Sequence, residues 1–180
     1  MTAYRYYTAT SLDGFLADEH DSLDWLLSQP TGEHSILPYG EFIAGIGAII
    51  TGRTTFDWVL AHDGVVDGAW VFTQLTFLFT HRGLDAPREG VTVVSGPPAG
   101  HRAAIEAAAA GRDVWIVGGG DLAAECARSG MLDEIFVSIA PVTLGAGRPL
   151  LGGRFDLELR EHGTNGALLE VRFAVLGERT

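Results

Sequence analysis

Three short segments of this 180-residue chain combine glycine, hydroxyl and basic residues in patterns that suit a bound anion. The first is Val114-Trp115-Ile116-Val117-Gly118-Gly119-Gly120-Asp121-Leu122, an apolar run that delivers three glycines to the start of a helical pattern. Glycines allow close approach of a ligand to the backbone, and the free N–H groups at a helix start carry partial positive charge. That chemistry suits a pyrophosphate or the edge of a nicotinamide. A tight turn needing positive φ would use the same residues. The triplet is not the spaced G-x-G-x-x-G of a classical dinucleotide fold, which is also expected near a first strand.

Gly52-Arg53-Thr54-Thr55 repeats the logic at the end of Ala48-Ile49-Ile50-Thr51. An arginine and two hydroxyls at a helix start offer charge and donors to a phosphate. Thr54 or Thr55 could equally act as an N-cap, which would leave Arg53 unexplained. Thr80-His81-Arg82 ends a third apolar run. Ligands of open α/β sheets lie across the carboxyl ends of the strands, so these three ends would converge on one anionic ligand.

Other chemistries lack their residues. All 12 basic residues are arginine, which removes both the lysine of a phosphate-binding P-loop and Schiff-base catalysis. A net charge of −11 opposes a nucleic-acid partner. The histidines at 20, 34, 62, 81, 101 and 162 have no metal-ligand spacing, so no metal site is expected. No serine sits in a G-x-S-x-G elbow. Cys126 is the single cysteine and reads as a packing residue; Trp25 and Trp58 could line a pocket, although buried aromatics are more often core and that is the favoured reading.

The elements that must carry these residues alternate. Strands are expected at 3–10, 48–51, 76–80, 91–95, 113–117 and 133–141, and helices at 36–46, from 53 onward, at 102–110 capped by Gly111, and at 121–128. A short apolar return follows the Ser11-Leu12-Asp13-Gly14 turn, and 18–33 reads as a loop around one apolar turn at 25–27. A hairpin of 158–162 and 168–176, turned by Thr164-Asn165-Gly166, closes the chain. The pattern predicts one α/β domain over 1–180, with a mainly parallel sheet, helices on both faces and an antiparallel edge. No apolar run is long enough to span a bilayer and Met1–Tyr7 has no secretory pattern, so the expected location is the cytoplasm.

Taken together, Ser11-Leu12-Asp13-Gly14, Gly52-Arg53-Thr54-Thr55-Phe56, Thr80-His81-Arg82, Val117-Gly118-Gly119-Gly120-Asp121-Leu122, Leu132-Asp133-Glu134-Ile135 and the trailing 141–150 segment resemble the dihydrofolate-reductase-like superfamily. Within it the chain is most similar to stand-alone relatives of the C-terminal reductase domain of the bifunctional riboflavin-biosynthesis deaminase/reductase (RibD). The resemblance implies a three-layer dihydrofolate-reductase-like fold and hydride transfer from NADPH to a small pyrimidine or pterin-like ring. It further implies that Ala9, Leu16 and Ala17 meet the nicotinamide, that Gly52, Arg53, Thr54 and Thr55 hold the pyrophosphate, and that Thr80, His81 and Arg82 flank the 2′-phosphate. Val117, Gly118, Gly119, Gly120, Asp121 and Leu122 would cover the pyrophosphate and nicotinamide. By analogy a homodimer is expected.

Three positions depart from the relatives. Asp121 stands where dihydrofolate reductases can carry an arginine, so preference for NADPH over NADH would rest on Arg82 and His81. Ile36 stands where folate reduction uses an acid, and Val117 where the riboflavin-type reductase uses a glutamate. Asp13, Trp25, Glu33 and Ser138 are the remaining candidates to face a substrate. The alternatives are a dihydrofolate reductase and a nucleotide-binding protein without turnover.

Overall fold

The computed structural model describes residues 2–62, 70–84, 86 and 88–179. Eight strands form one sheet in the order β5 (Val91–Val94), β4 (Leu75–Phe79), β3 (Ile46–Gly52), β6 (Asp113–Gly118), β1 (Tyr4–Ser11), β7 (Glu134–Ala140), β10 (Leu168–Glu178), β9 (Phe155–Asn165). From β5 to β7 every neighbouring pair is parallel; β10 and β9 close the edge antiparallel. A separate two-stranded ribbon pairs β2 (Phe15–Ala17) with β8 (Arg148–Pro149).

Absence of alternation in the central strands reflects burial on both faces. Ile50 and Ile116 enter one core with Ile105 and Ala109 of α4 (Arg102–Ala109) and with Ala123, Cys126 and Ala127 of α5 (Gly120–Arg128). Their neighbours Ile49 and Trp115 enter a second core on the other face, against Phe42 of α2 (Tyr39–Ala44). Tyr7 stacks between Phe42 at 4.3 Å and Phe136 at 4.6 Å, closing that second layer. Burying a ring such as Phe42 contributes roughly 1.5–3 kcal/mol.

Several expected boundaries shift. The helix expected over 36–46 is confined to Tyr39–Ala44, because Pro38 occupies its N-cap and disfavours helical geometry at Leu37. At the other end Ile46 pairs with Asp113 and belongs to β3. The closing hairpin is longer than expected, and pairing of Asn165 with Leu168 leaves Gly166 and Ala167 as its two-residue loop. Helix α4 ends one residue early, with Ala110 already left-handed ahead of Gly111. The apolar turn at 25–27 is helix α1 (Asp24–Leu27). Helix α3 runs Arg53–His62 directly from the end of β3.

Candidate active site

The carboxyl ends of β1, β3 and β6 open into a cleft of about 450 Å³. At β3, Gly52 passes straight into α3, so Arg53, Thr54 and Thr55 form the first helical turn and face the cleft. Since α3 begins at Arg53, the two threonines lie within it and are not its N-cap. At β6, Val117 and Gly118 lead through a cis Gly118–Gly119 peptide to α5. Gly119 caps that helix with no side-chain hydrogen bond, leaving backbone donors at its first turn for a ligand.

The glycine triplet makes the tight turn considered for it and leaves open space beside its middle member. Gly118 has φ +145°, a conformation closed to other residues, and a Cβ there would lie 3.2 Å from Thr55 Oγ1. A Cβ on Gly120 would lie 2.2 Å from the Pro149 carbonyl oxygen, so this glycine lets the 149–152 segment pack on α5. Around Gly119 there is open space, as a close-approaching ligand requires.

Arg53 is oriented by two partners. Its Nε donates to both carboxylate oxygens of Asp57, at 2.7 and 2.8 Å, and Nη1 donates to the Gly83 carbonyl at 2.9 Å. The second contact ties the β3 end to the turn after β4. There Thr80 Oγ1 accepts the Arg82 N–H at 3.0 Å. Thr80 and His81 line a second cavity of about 200 Å³, which shares Gly52, Asp121 and Leu122 with the main cleft. Arg82 is exposed on the same turn and lines neither cavity.

Apolar walls come from Ala9 of β1, from Leu16 and Ala17 of β2, and from Val117 and Leu122. The structure thus gathers Ala9, Leu16, Ala17, Gly52 to Thr55 and Val117 to Leu122 into one cleft, with Thr80 and His81 in the adjoining cavity.

The proposed substrate-facing residues fall elsewhere. Asp13 is exposed and accepts from Ser11 Oγ at 2.6 Å, Gly145 N at 2.7 Å and Leu144 N at 3.1 Å, bracing the β1–β2 turn against the 144–145 segment. Those bonds, led by the Ser11 hydroxyl, hold its carboxyl below the ordinary range. Trp25 is half-buried on α1, and Leu23 and Leu26 reach the cleft in its place. Residues three apart share a helical face, which turns Trp25 away from theirs. Glu33 is exposed. Ser138 is half-buried on β7 beside Ala9, one strand removed from the cleft wall.

Seven lining residues were not among the expected site residues: Thr8, Asp21, Leu23, Leu26, Trp58, Arg148 and Pro149. Trp58 is not a core residue; it stacks on His62 at 4.2 Å and lines the cleft. Arg148 Nε and Nη2 meet the Asp21 carboxylate at 2.6 and 3.0 Å across the cleft rim. That pairing lowers the Asp21 carboxyl and raises the Arg148 guanidinium, with a smaller contribution to Arg148 from Asp121. No local signal marked Arg148, because a turn arginine is ordinarily solvated and its partner Asp21 lies 127 positions away in the chain.

Residues 103–167 match the RibD C-terminal domain family. Over 146 residues the chain is 30% identical to YwjB of Bacillus subtilis (strain 168), itself uncharacterized, covering 80% of this chain and 79% of that protein. A crystal structure of a putative riboflavin biosynthesis protein from Shewanella sp. PV-4 superposes with a TM-score of 0.81 at 24% identity, covering 97% of this chain and 99% of that one. Dihydrofolate reductase from Enterococcus faecalis, solved with NADP(H) and RAB-propyl, shares the fold at a TM-score of 0.59 and 14% identity, over 97% and 96% of the two chains. With its glycine-led α5, parallel sheet and antiparallel edge hairpin, this chain belongs to the RibD C-terminal domain family.

Proposed function

We propose that the protein is an NADPH-dependent reductase of the 5-amino-6-(5-phosphoribosylamino)uracil reductase type, transferring hydride to a small pyrimidine or pterin-like ring. The observation that carries this reading is that the starts of α3 and α5 open into one cleft with apolar walls. Two helix N-termini, one of them opened by Arg53, suit a pyrophosphate. The open space at Gly119 fits the close approach of such a group, and Ala9, Leu16, Ala17 and Val117 suit the edge of a flat ring.

When bound, the nicotinamide supplies the hydride. The chain's own part is placement. Backbone N–H groups of α5 and the side chains of Arg53, Thr54 and Thr55 fix the phosphates, while the apolar wall keeps water from one face of the ring. Trp58, backed by His62, offers an aromatic surface for a heterocyclic substrate. Orienting two reactants in this way is worth up to roughly 7–11 kcal/mol in well-aligned systems. Among the described residues lining the cleft, the carboxylates are Asp21 and Asp121; Asp21 is committed to Arg148.

Loss of absorbance at 340 nm with NADPH and a panel of ribitylaminopyrimidine, pterin and folate substrates tests the reading. Turnover of a pyrimidine is expected. Turnover of dihydrofolate alone would replace the substrate assignment, and tight NADPH binding with no turnover would replace the catalytic one.

A further inference from the structure

The second cavity holds a charge pattern that a bound 2′-phosphate would not favour. It lies at the ends of β3 and β4, joined to the main cleft along Gly52, Asp121 and Leu122. If the dinucleotide's pyrophosphate sits between α3 and α5, this adjoining space receives its adenosine half. The charged or titratable side chains that line it are His81, Asp121 and Glu125. Asp121 and Glu125 lie one turn apart on α5 and both contribute to the lining. Neither neighbouring arginine lines this cavity: Arg53, held by Asp57 and Gly83, belongs to the main cleft, and Arg82 is exposed on the adjoining turn.

We infer that Glu125, together with Asp121, determines cofactor specificity by opposing the 2′-phosphate, so that this chain separates NADPH from NADH only weakly. The inference rests on the reading of the cleft as a nicotinamide-dinucleotide site. Two carboxylates beside a phosphate raise its electrostatic free energy, whereas the hydroxyl of NADH can donate to either one. Glu125 is four residues past Asp121 and contacts the second cavity alone, so changing it spares the pyrophosphate end.

The test is direct binding, by fluorescence titration or calorimetry, of NADPH and NADH to the wild type, Glu125→Gln and Glu125→Lys, with thermal melts to confirm folding. The expected wild-type affinities for the two nucleotides lie within about tenfold of each other. Glu125→Gln should tighten NADPH about two- to fivefold and leave NADH unchanged, with Glu125→Lys extending the gain. A wild type that binds NADPH more than about a hundredfold tighter than NADH overturns the inference. So does a Glu125→Gln variant that moves both nucleotides equally or neither. If NADH and NADPH both fail to bind, the dinucleotide reading itself falls and takes this inference with it.

Discussion

Arg53 links two strand ends: its Nη1 donates to the Gly83 carbonyl at 2.9 Å while Asp57 holds its Nε at 2.7 Å. An arginine so fixed presents its charge at the first turn of α3 without having to be ordered by the ligand, which is the physical content of preorganisation. Arg53→Ala is expected to weaken NADPH binding about ten- to a hundredfold, the scale of a lost charged hydrogen bond. The free energy of unfolding from denaturant titration should change by about 1 kcal/mol or less, because the Asp57 pair is on the surface. Unchanged affinity in the folded variant would remove Arg53 from the site.

Gly119 and Gly120 make a paired test. Alanine at Gly120 would drive a Cβ to 2.2 Å from the Pro149 carbonyl oxygen, so Gly120→Ala should lose stability by about 1–3 kcal/mol. At Gly119 a Cβ meets open space, and Gly119→Ala should melt like the wild type. It should nevertheless bind NADPH more weakly, since the methyl group would occupy the space a phosphate needs. Normal affinity in Gly119→Ala would show that nothing approaches this backbone closely.

Glu170, only 2% exposed, accepts from Ser35 Oγ at 2.8 Å, Ile36 N at 2.8 Å and Asn165 Nδ2 at 2.9 Å. It joins β10 to the segment that enters α2 and to the hairpin end. Glu170→Ala would leave three half-buried donors without their acceptor and is expected to cost about 1–3 kcal/mol in urea unfolding. A loss below about 0.5 kcal/mol would mean that these donors find other partners.

Acid should weaken the fold through Asp13 and Asp21, whose carboxyls are both held below the ordinary range. Their folded forms bind protons less readily than the unfolded chain does. The associated stability is therefore present above the ordinary carboxylate value of about 4 and is lost as pH falls through the lowered values. Asp13→Asn should flatten that acid limb in melts taken below about pH 4. An unchanged limb would show that the Ser11, Leu144 and Gly145 contacts are not held in solution.

Cys126 is fully buried in α5, and burial pushes its thiol up to about 12. A buried neutral thiol is a poor nucleophile, so a disulfide reagent should react only on the global unfolding timescale, with a rate that rises with urea. Fast native-state labelling would mean that α5 opens locally.

How much of this was legible in advance depended on local chemistry. The Val114–Leu122 run read correctly as strand, glycines and helix, because burial on both faces and the glycine triplet are properties of adjacent residues. The same holds for Gly52 to Thr55. Asp13, Trp25, Glu33 and Ser138 were candidates chosen by type, and type does not say which way a side chain turns. One position of helical rotation exchanged Trp25 for Leu23 and Leu26, and one strand of lateral displacement moved Ser138 off the cleft wall.

Residue order by itself determined the parallel sheet, its two cores and the helix starts that follow β3 and β6, since hydrophobic period and glycine placement act over a few neighbouring positions. Tertiary structure alone decided that Asp21 meets Arg148 and that Glu170 holds Ser35, pairs 127 and 135 residues apart. Nothing local specifies such pairs. They exist because the sheet order brings distant segments together, and charges or buried donors at those meeting points must then be satisfied.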